Sequence, residues 1–137
     1  MAHFTGNKHI KRILYEALTD NHIWELRSML TGKPLVYYFG EDFSTEYMET
    51  RIINKVVLKS LRLTEKSYDM KKHSDFDFYM KEVKHVPMKI KEKWNWVFIW
   101  DDNVAIFDLD NLRCEMYTWG KEFEKYDQMF NEIWEKN

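Results

Sequence analysis

Apolar positions along the chain follow two rhythms, one of three and four residues and one of two, and their alternation predicts the elements. From Asn7 to Leu18 the apolar residues are Ile10, Ile13, Leu14, Ala17 and Leu18, the spacing of a helix with one buried face. Thr5 or Asn7 can cap its start, and Asp20-Asn21 marks its end. Ile23, Trp24 and Leu26 read as a short strand, followed by a turn at Thr31-Gly32-Lys33-Pro34. Leu35 to Phe39 is a continuous apolar run, read as a buried strand that Gly40 closes. Between Asp42 and Asn54, Phe43, Tyr47, Met48, Ile52 and Ile53 return to helical spacing, with acidic residues early and Arg51 and Lys55 late, an order that complements the helix dipole. Val56 to Leu63 alternates apolar residues with Lys59 and Arg62, the pattern of a strand with one wetter face.

The second half is richer in strands. Thr64 to Asp77 is polar and without periodicity, and Phe76, Phe78 and Tyr79 suggest that its end docks on the core as a short helix. Val83 to Pro87 reads as a strand stopped by the proline. Trp94–Trp100 and Val104–Phe107 flank Asp101-Asp102-Asn103 as a hairpin, and Leu112–Thr118 adds a third strand after Asp110-Asn111. A closing helix carries Phe123, Tyr126, Met129, Phe130, Ile133 and Trp134 on one face. Helices interleaved with strands in this order predict an α/β (α+β) fold, a mixed sheet flanked by helices, rather than a bundle or a β-sandwich.

Composition narrows the function classes. At 137 residues the chain has the length of one domain, and 45% hydrophobic with 32% charged residues is a globular mixture. Twenty-one basic against 23 acidic residues leave a net charge of −2, so the basic excess that drives phosphate neutralisation is missing and direct nucleic-acid binding is disfavoured. The single cysteine, Cys114, rules out an intrachain disulfide and reads as a small buried apolar residue, which fits a reducing, cytoplasmic location. No apolar run approaches the roughly 18 to 20 residues of a membrane helix, and no signal-peptide pattern opens the chain. Residues 1–3 read as an appendage left where a domain was excised from a longer protein.

Candidate chemistry is sparse. His9-Ile10-Lys11 followed by Glu16 has the spacing of the phospholipase D superfamily motif, His-x-Lys-x-x-x-x-Asp, in which a strand presents the His as nucleophile and the Lys as phosphate clamp. Here the match lies on a helix, with Glu in place of Asp, and His9 and Glu16 fall nearly two turns apart. His22, His73 and His85 lack the paired spacing of a metal site, and the Asp pairs at 101–102 and 108–110 sit at turns, where backbone geometry alone favours them. Four scattered glycines make no phosphate loop. Trp94, Trp96, Phe98 and Trp100 alternate, which places all four on one face of a strand, either as an aromatic platform or dimer seam or as a strand covered on both sides.

The motif order resembles the C-terminal effector domain of the TrmB-like transcriptional regulators, which has a phospholipase-D-like fold. Phe4-Thr5-Gly6-Asn7-Lys8-His9-Ile10 resembles its opening F-x-G-x-x-x-I, and Phe43 to Ile52 its helix ending in a basic step at Arg51. Val83-Lys84-His85-Val86-Pro87 stands at its R-x-x-P-like step with Lys84 for Arg, Val97 to Ile106 at its hairpin, and Phe130-Asn131-Glu132-Ile133-Trp134 at its terminal helix. With Asp102 taken as the motif's Asp, the His position is Asn95 and the Lys position Val97, so the resemblance implies a fold that has lost its chemistry. It further implies a non-catalytic ligand-sensing and dimerisation domain with no cofactor and no metal, the chain forming a homodimer and binding a sugar or an anionic metabolite through Arg51, Lys84, Trp94 and Trp96. DNA would be reached only through a winged-helix domain that this chain does not contain. The alternatives are a stand-alone interaction module without ligand and, third, a phosphodiesterase or nuclease.

Overall fold

The computed structural model describes residues 1–63 and 80–137. Among the described residues ten elements follow in chain order: β1 (Ala2–Thr5), α1 (Asn7–Thr19), β2 (Glu25–Leu30), α2 (Leu35–Ile53), β3 (Val57–Leu63), β4 (Lys81–Val86), β5 (Trp96–Trp100), β6 (Asn103–Asp108), β7 (Arg113–Tyr117) and α3 (Lys121–Lys136). All seven strands join one mixed sheet in the order β1-β7-β6-β5-β2-β3-β4. Strands β2, β3 and β4 run parallel, whereas β5, β6 and β7 form an antiparallel meander that meets β2 and ends on β1. The predicted mixed sheet with flanking helices is what the chain forms.

Both faces of the sheet are covered. On one, α1 buries Ile10, Ile13, Leu14, Ala17 and Leu18, and α2 adds Leu35 and Tyr47, against Leu26, Leu30, Trp96, Phe98, Trp100 and Phe107. On the other, α3 buries Phe123, Tyr126 and Phe130 against Met29, Leu61, Val97, Ile99 and Val104. Each large side chain so buried stabilises the fold by about 1.5–3 kcal/mol relative to exposure. Strand β5 lies fourth of seven, and all five of its residues are buried. That two-sided burial explains its unbroken apolar reading and excludes the strand as a dimer seam.

Four local expectations need correction. Leu35–Phe39 is the first turn and a half of α2, not a strand: Leu35, Tyr38 and Phe39 turn toward the core while Val36 and Tyr37 face solvent, a helical spacing hidden in a short apolar run. Gly40, at φ 86° and ψ 169°, ends this piece and kinks α2 before the predicted helix begins. Ile23 and Trp24 are exposed loop residues, Trp24 with φ 55°, and β2 starts after them. Ala2 and His3 belong to the sheet, paired with Met116 and Glu115, rather than lying outside it. Trp94 precedes β5 and packs on the α3 face, opposite Trp96, Phe98 and Trp100. The polar stretch from Thr64 and its aromatic end at Phe76, Phe78 and Tyr79 lie outside the described residues.

Candidate functional site

A cavity of about 210 Å³ lies between α2 and the β2–β3–β4 part of the sheet. Its apolar wall comes from Leu26, Leu58, Trp96 and Phe98 on the strands and from Leu35 and Met48 on the helix. Alternation along β3 sends Leu58, Ser60 and Arg62 to this face and Lys59, Leu61 and Leu63 to the other. Arg62 therefore enters the cavity from β3, Lys81 enters from the start of the neighbouring β4, and Arg51 descends from the last turns of α2. Among the described residues no Asp or Glu lines it.

The three cations are held differently. Arg51 is 2% exposed and its Nη1 donates to the carbonyl oxygens of Val56 at 2.9 Å and Met80 at 3.0 Å, tying the end of α2 to the entries of β3 and β4. Burial pulls its pKa below the usual arginine range. Burial does the same to Arg62, whose Nε is shielded from solvent and has no hydrogen-bond partner among the described residues. Lys81 is lowered by burial first and then by the charges of Arg62 and Arg51. His85, beside Arg62 in the β3–β4 register, is lowered by burial and by that guanidinium. Ser44 Oγ on α2 is also buried without a partner among the described residues and lines the same space. Tyr47 donates to Leu14 O at 3.0 Å, and its burial raises its pKa. Trp96 Nε1 donates to Lys33 O at 3.3 Å, fixing both the indole and the turn before α2.

Of the four residues that the sequence singled out, Arg51 and Trp96 thus meet on one cavity. Trp94 lies across the sheet in a second cleft of about 490 Å³, where its indole and the Tyr126 hydroxyl both donate to Glu92 and Lys125 Nζ pairs with Glu92 at 2.9 Å. Burial pushes the Glu92 carboxyl up, but donors from Lys125, Trp94 and Tyr126 outweigh it and hold the pKa below its usual value. Charges of both signs line this cleft, with Lys125 and Glu92 paired. Lys84 also faces α3: its Nζ sits 4.3 Å from the Trp134 ring centroid and donates to Trp134 O at 2.9 Å, serving the carbonyl end of the helix. The structure does not bring it to Arg51.

Sequence reasoning missed Arg62 and Lys81. Parity held the signal for the first, because Lys59 and Arg62 are three residues apart and cannot share a strand face. No comparable signal marks Lys81, whose position depends on the β3–β4 pairing.

The remaining candidates within the described residues lie apart from one another except where His22 meets Asp101 and Asn95 meets Asp110, and His73 lies outside those residues. His9 is exposed, Lys11 Nζ rests over the Phe43 ring at 4.9 Å, and Glu16 faces Arg12. Cys114 is buried, which raises its thiol to about 12 and keeps it protonated. At the β5–β6 turn Asp101, not Asp102, is built in: its carboxylate accepts the backbone N–H groups of His22 at 3.1 Å and Ile23 at 3.2 Å and lies 2.9 Å from His22 Nδ1. Asn95 accepts from Leu109 N at 2.5 Å and donates to Asp110 at 3.2 Å, a strand-end tie. No group of three metal-ligating side chains occurs among the described residues. No helix among them is long and apolar enough to cross a membrane. Models of known families and curated proteins were both compared with the chain, and neither gave a match.

Proposed function

We propose that this chain is a non-catalytic ligand-sensing domain that assembles as a homodimer, a phospholipase-D-like half without its chemistry, of the kind found in TrmB-like regulators. The observation that carries the reading is the convergence of Arg51 and Trp96, with Arg62 and Lys81, on one cavity where, among the described residues, neither a histidine nor a carboxylate stands to activate the Ser44 hydroxyl. The mixed sheet with helices on both faces and a β5–β6 hairpin at the expected place supports the fold assignment.

The hairpin also sharpens the argument about lost chemistry. Counted back from the built-in Asp101 instead of Asp102, the motif's His and Lys positions fall on Trp94 and Trp96. In either register no nucleophile and no phosphate clamp stand there. Turnover of a generic phosphodiester by the purified chain would contradict this.

Thermal melting with sugars, nucleotides, organic acids and phosphorylated metabolites tests the sensing role, and at least one class is expected to raise the melting temperature of the chain but not of Trp96→Ala. No response across the panel would remove the sensing role. For the dimer, the exposed apolar pair Ile23 and Trp24, 59% and 66% exposed and anchored by Asp101, offers an assembly surface. A sedimenting monomer at high concentration would remove that part of the reading.

A further inference from the structure

We infer that the cavity under α2 takes a small organic anion, a carboxylate or phosphate monoester head joined to an aromatic or branched apolar body. This rests on the ligand-sensing reading and names the ligand class for its site. Three basic side chains reach the cavity from three separate elements, Arg51 from α2, Arg62 from β3 and Lys81 from β4, and no carboxylate among the described residues lines it. Arg51 is fixed by its two carbonyl acceptors and supplies a stationary charge. Arg62 is the group that a ligand would complete, because its Nε is buried and meets no acceptor among the described residues.

A buried guanidinium N–H without an acceptor is costly, and that cost is relieved by an oxyanion. The guanidinium fork accommodates a carboxylate or a phosphoryl group through two parallel N–H···O bonds, and the ammonium of Lys81 adds a point charge beside it. Ser44 Oγ, equally short of a partner among the described residues, is a further donor. The rest of the wall is hydrocarbon and aromatic, with Trp96 held in place by Lys33 O, and it demands an apolar body behind the charged head. A neutral sugar satisfies neither half: it brings no charge to the buried Nε of Arg62 and sets hydroxyls against Phe98 and Leu26. At about 210 Å³ the space lies below the roughly 300–1,000 Å³ of pockets for drug-sized ligands, which favours a small ligand.

Titration calorimetry on the full chain with 3-phenylpropionate, phenyl phosphate, inorganic phosphate and the neutral 3-phenylpropanol tests this. The two aromatic anions should bind at least about tenfold more tightly than the neutral alcohol, the scale of one charged hydrogen bond, and more tightly than inorganic phosphate. Whichever aromatic anion binds better tells a carboxylate ligand from a phosphate monoester. Arg62→Met should abolish the anion preference while raising the melting temperature, because it removes a guanidinium whose buried Nε meets no acceptor among the described residues. Lys81→Gln should weaken the anions and leave the alcohol unchanged. Equal binding of alcohol and anions would overturn the anion assignment and leave the sensing role standing. Failure of all four probes, with a response to a neutral compound of the wider panel, would do the same, and silence across that panel would remove both. An Arg62→Met protein that melts lower yet still prefers anions would show that Arg62 serves the fold and not the ligand.

Discussion

At the scale of single residues, the His22–Asp101 contact behaves as an electrostatic latch. Asp101 raises the His22 pKa above 6.5, chiefly through the side-chain hydrogen bond and then through charge. For Asp101, burial acts upward, but the donors from His22 and Ile23 prevail and leave its pKa below 3.8. A raised histidine contributes stability that is fully present below its unfolded pKa and is lost as pH rises through the folded one. A depressed aspartate contributes above its unfolded pKa and loses the contribution as pH falls through the folded one. The latch is therefore tightest between the two unfolded values, from about pH 4 to 6.5. Proton NMR should find His22 titrating above 6.5 and returning toward that value in Asp101→Asn; an unshifted His22 in the parent chain would refute the contact. Such pairings were invisible in the sequence, where His22 and Asp101 are 79 positions apart. The places of Arg51 late in a helix and of Trp96 in an alternating strand were legible as local patterns, whereas Lys81 acquires its place only from the strand beside it.

At the scale of elements, α2 shows where local pattern misleads. The five residues after Pro34 are all apolar or aromatic, and a run so short fits a buried strand as well as a helix. Gly40 resolves the ambiguity, since its φ of 86° with ψ of 169° is a conformation essentially reserved for glycine. A Cβ there would meet no neighbour within 4 Å, so the penalty is backbone strain alone. Gly40→Ala should cost about 1–3 kcal/mol in denaturant unfolding, and a neutral result would contradict the kink. Helix α3 was predicted well because its apolar stripe is long. Phe130, 1% exposed, stacks on Trp134 and lies under the Arg27 guanidinium. Phe130→Ala should destabilise by about 3–5 kcal/mol, whereas Ile53→Ser, at a site 77% exposed, should stay within about 0.5 kcal/mol. The contrast between the two variants measures how far α3 carries its side of the sheet.

At the scale of the whole molecule, element types were largely readable and the pairing of strands was not. Period-two and period-four patterns placed β3, β5, β6, β7, α1 and α3, but only the folded chain sets β5 beside β2 and sends β1 to the far edge. That order makes one end of the sheet parallel, covered by α2 and open enough for a cavity, and the other an antiparallel meander filled by aromatic side chains. It also separates the two tryptophans that alternation had placed on one face, giving Trp96 to the cavity under α2 and Trp94 to the cleft beside α3. The central claim is that ligand is sensed at the first of these. The indole N–H signals of the nitrogen-15-labelled protein, assigned with Trp94→Phe and Trp96→Phe and followed through a titration with 3-phenylpropionate or phenyl phosphate, test it most directly. The account predicts a saturating shift of the Trp96 signal with Trp94 unmoved, and a shift confined to Trp94 would contradict it.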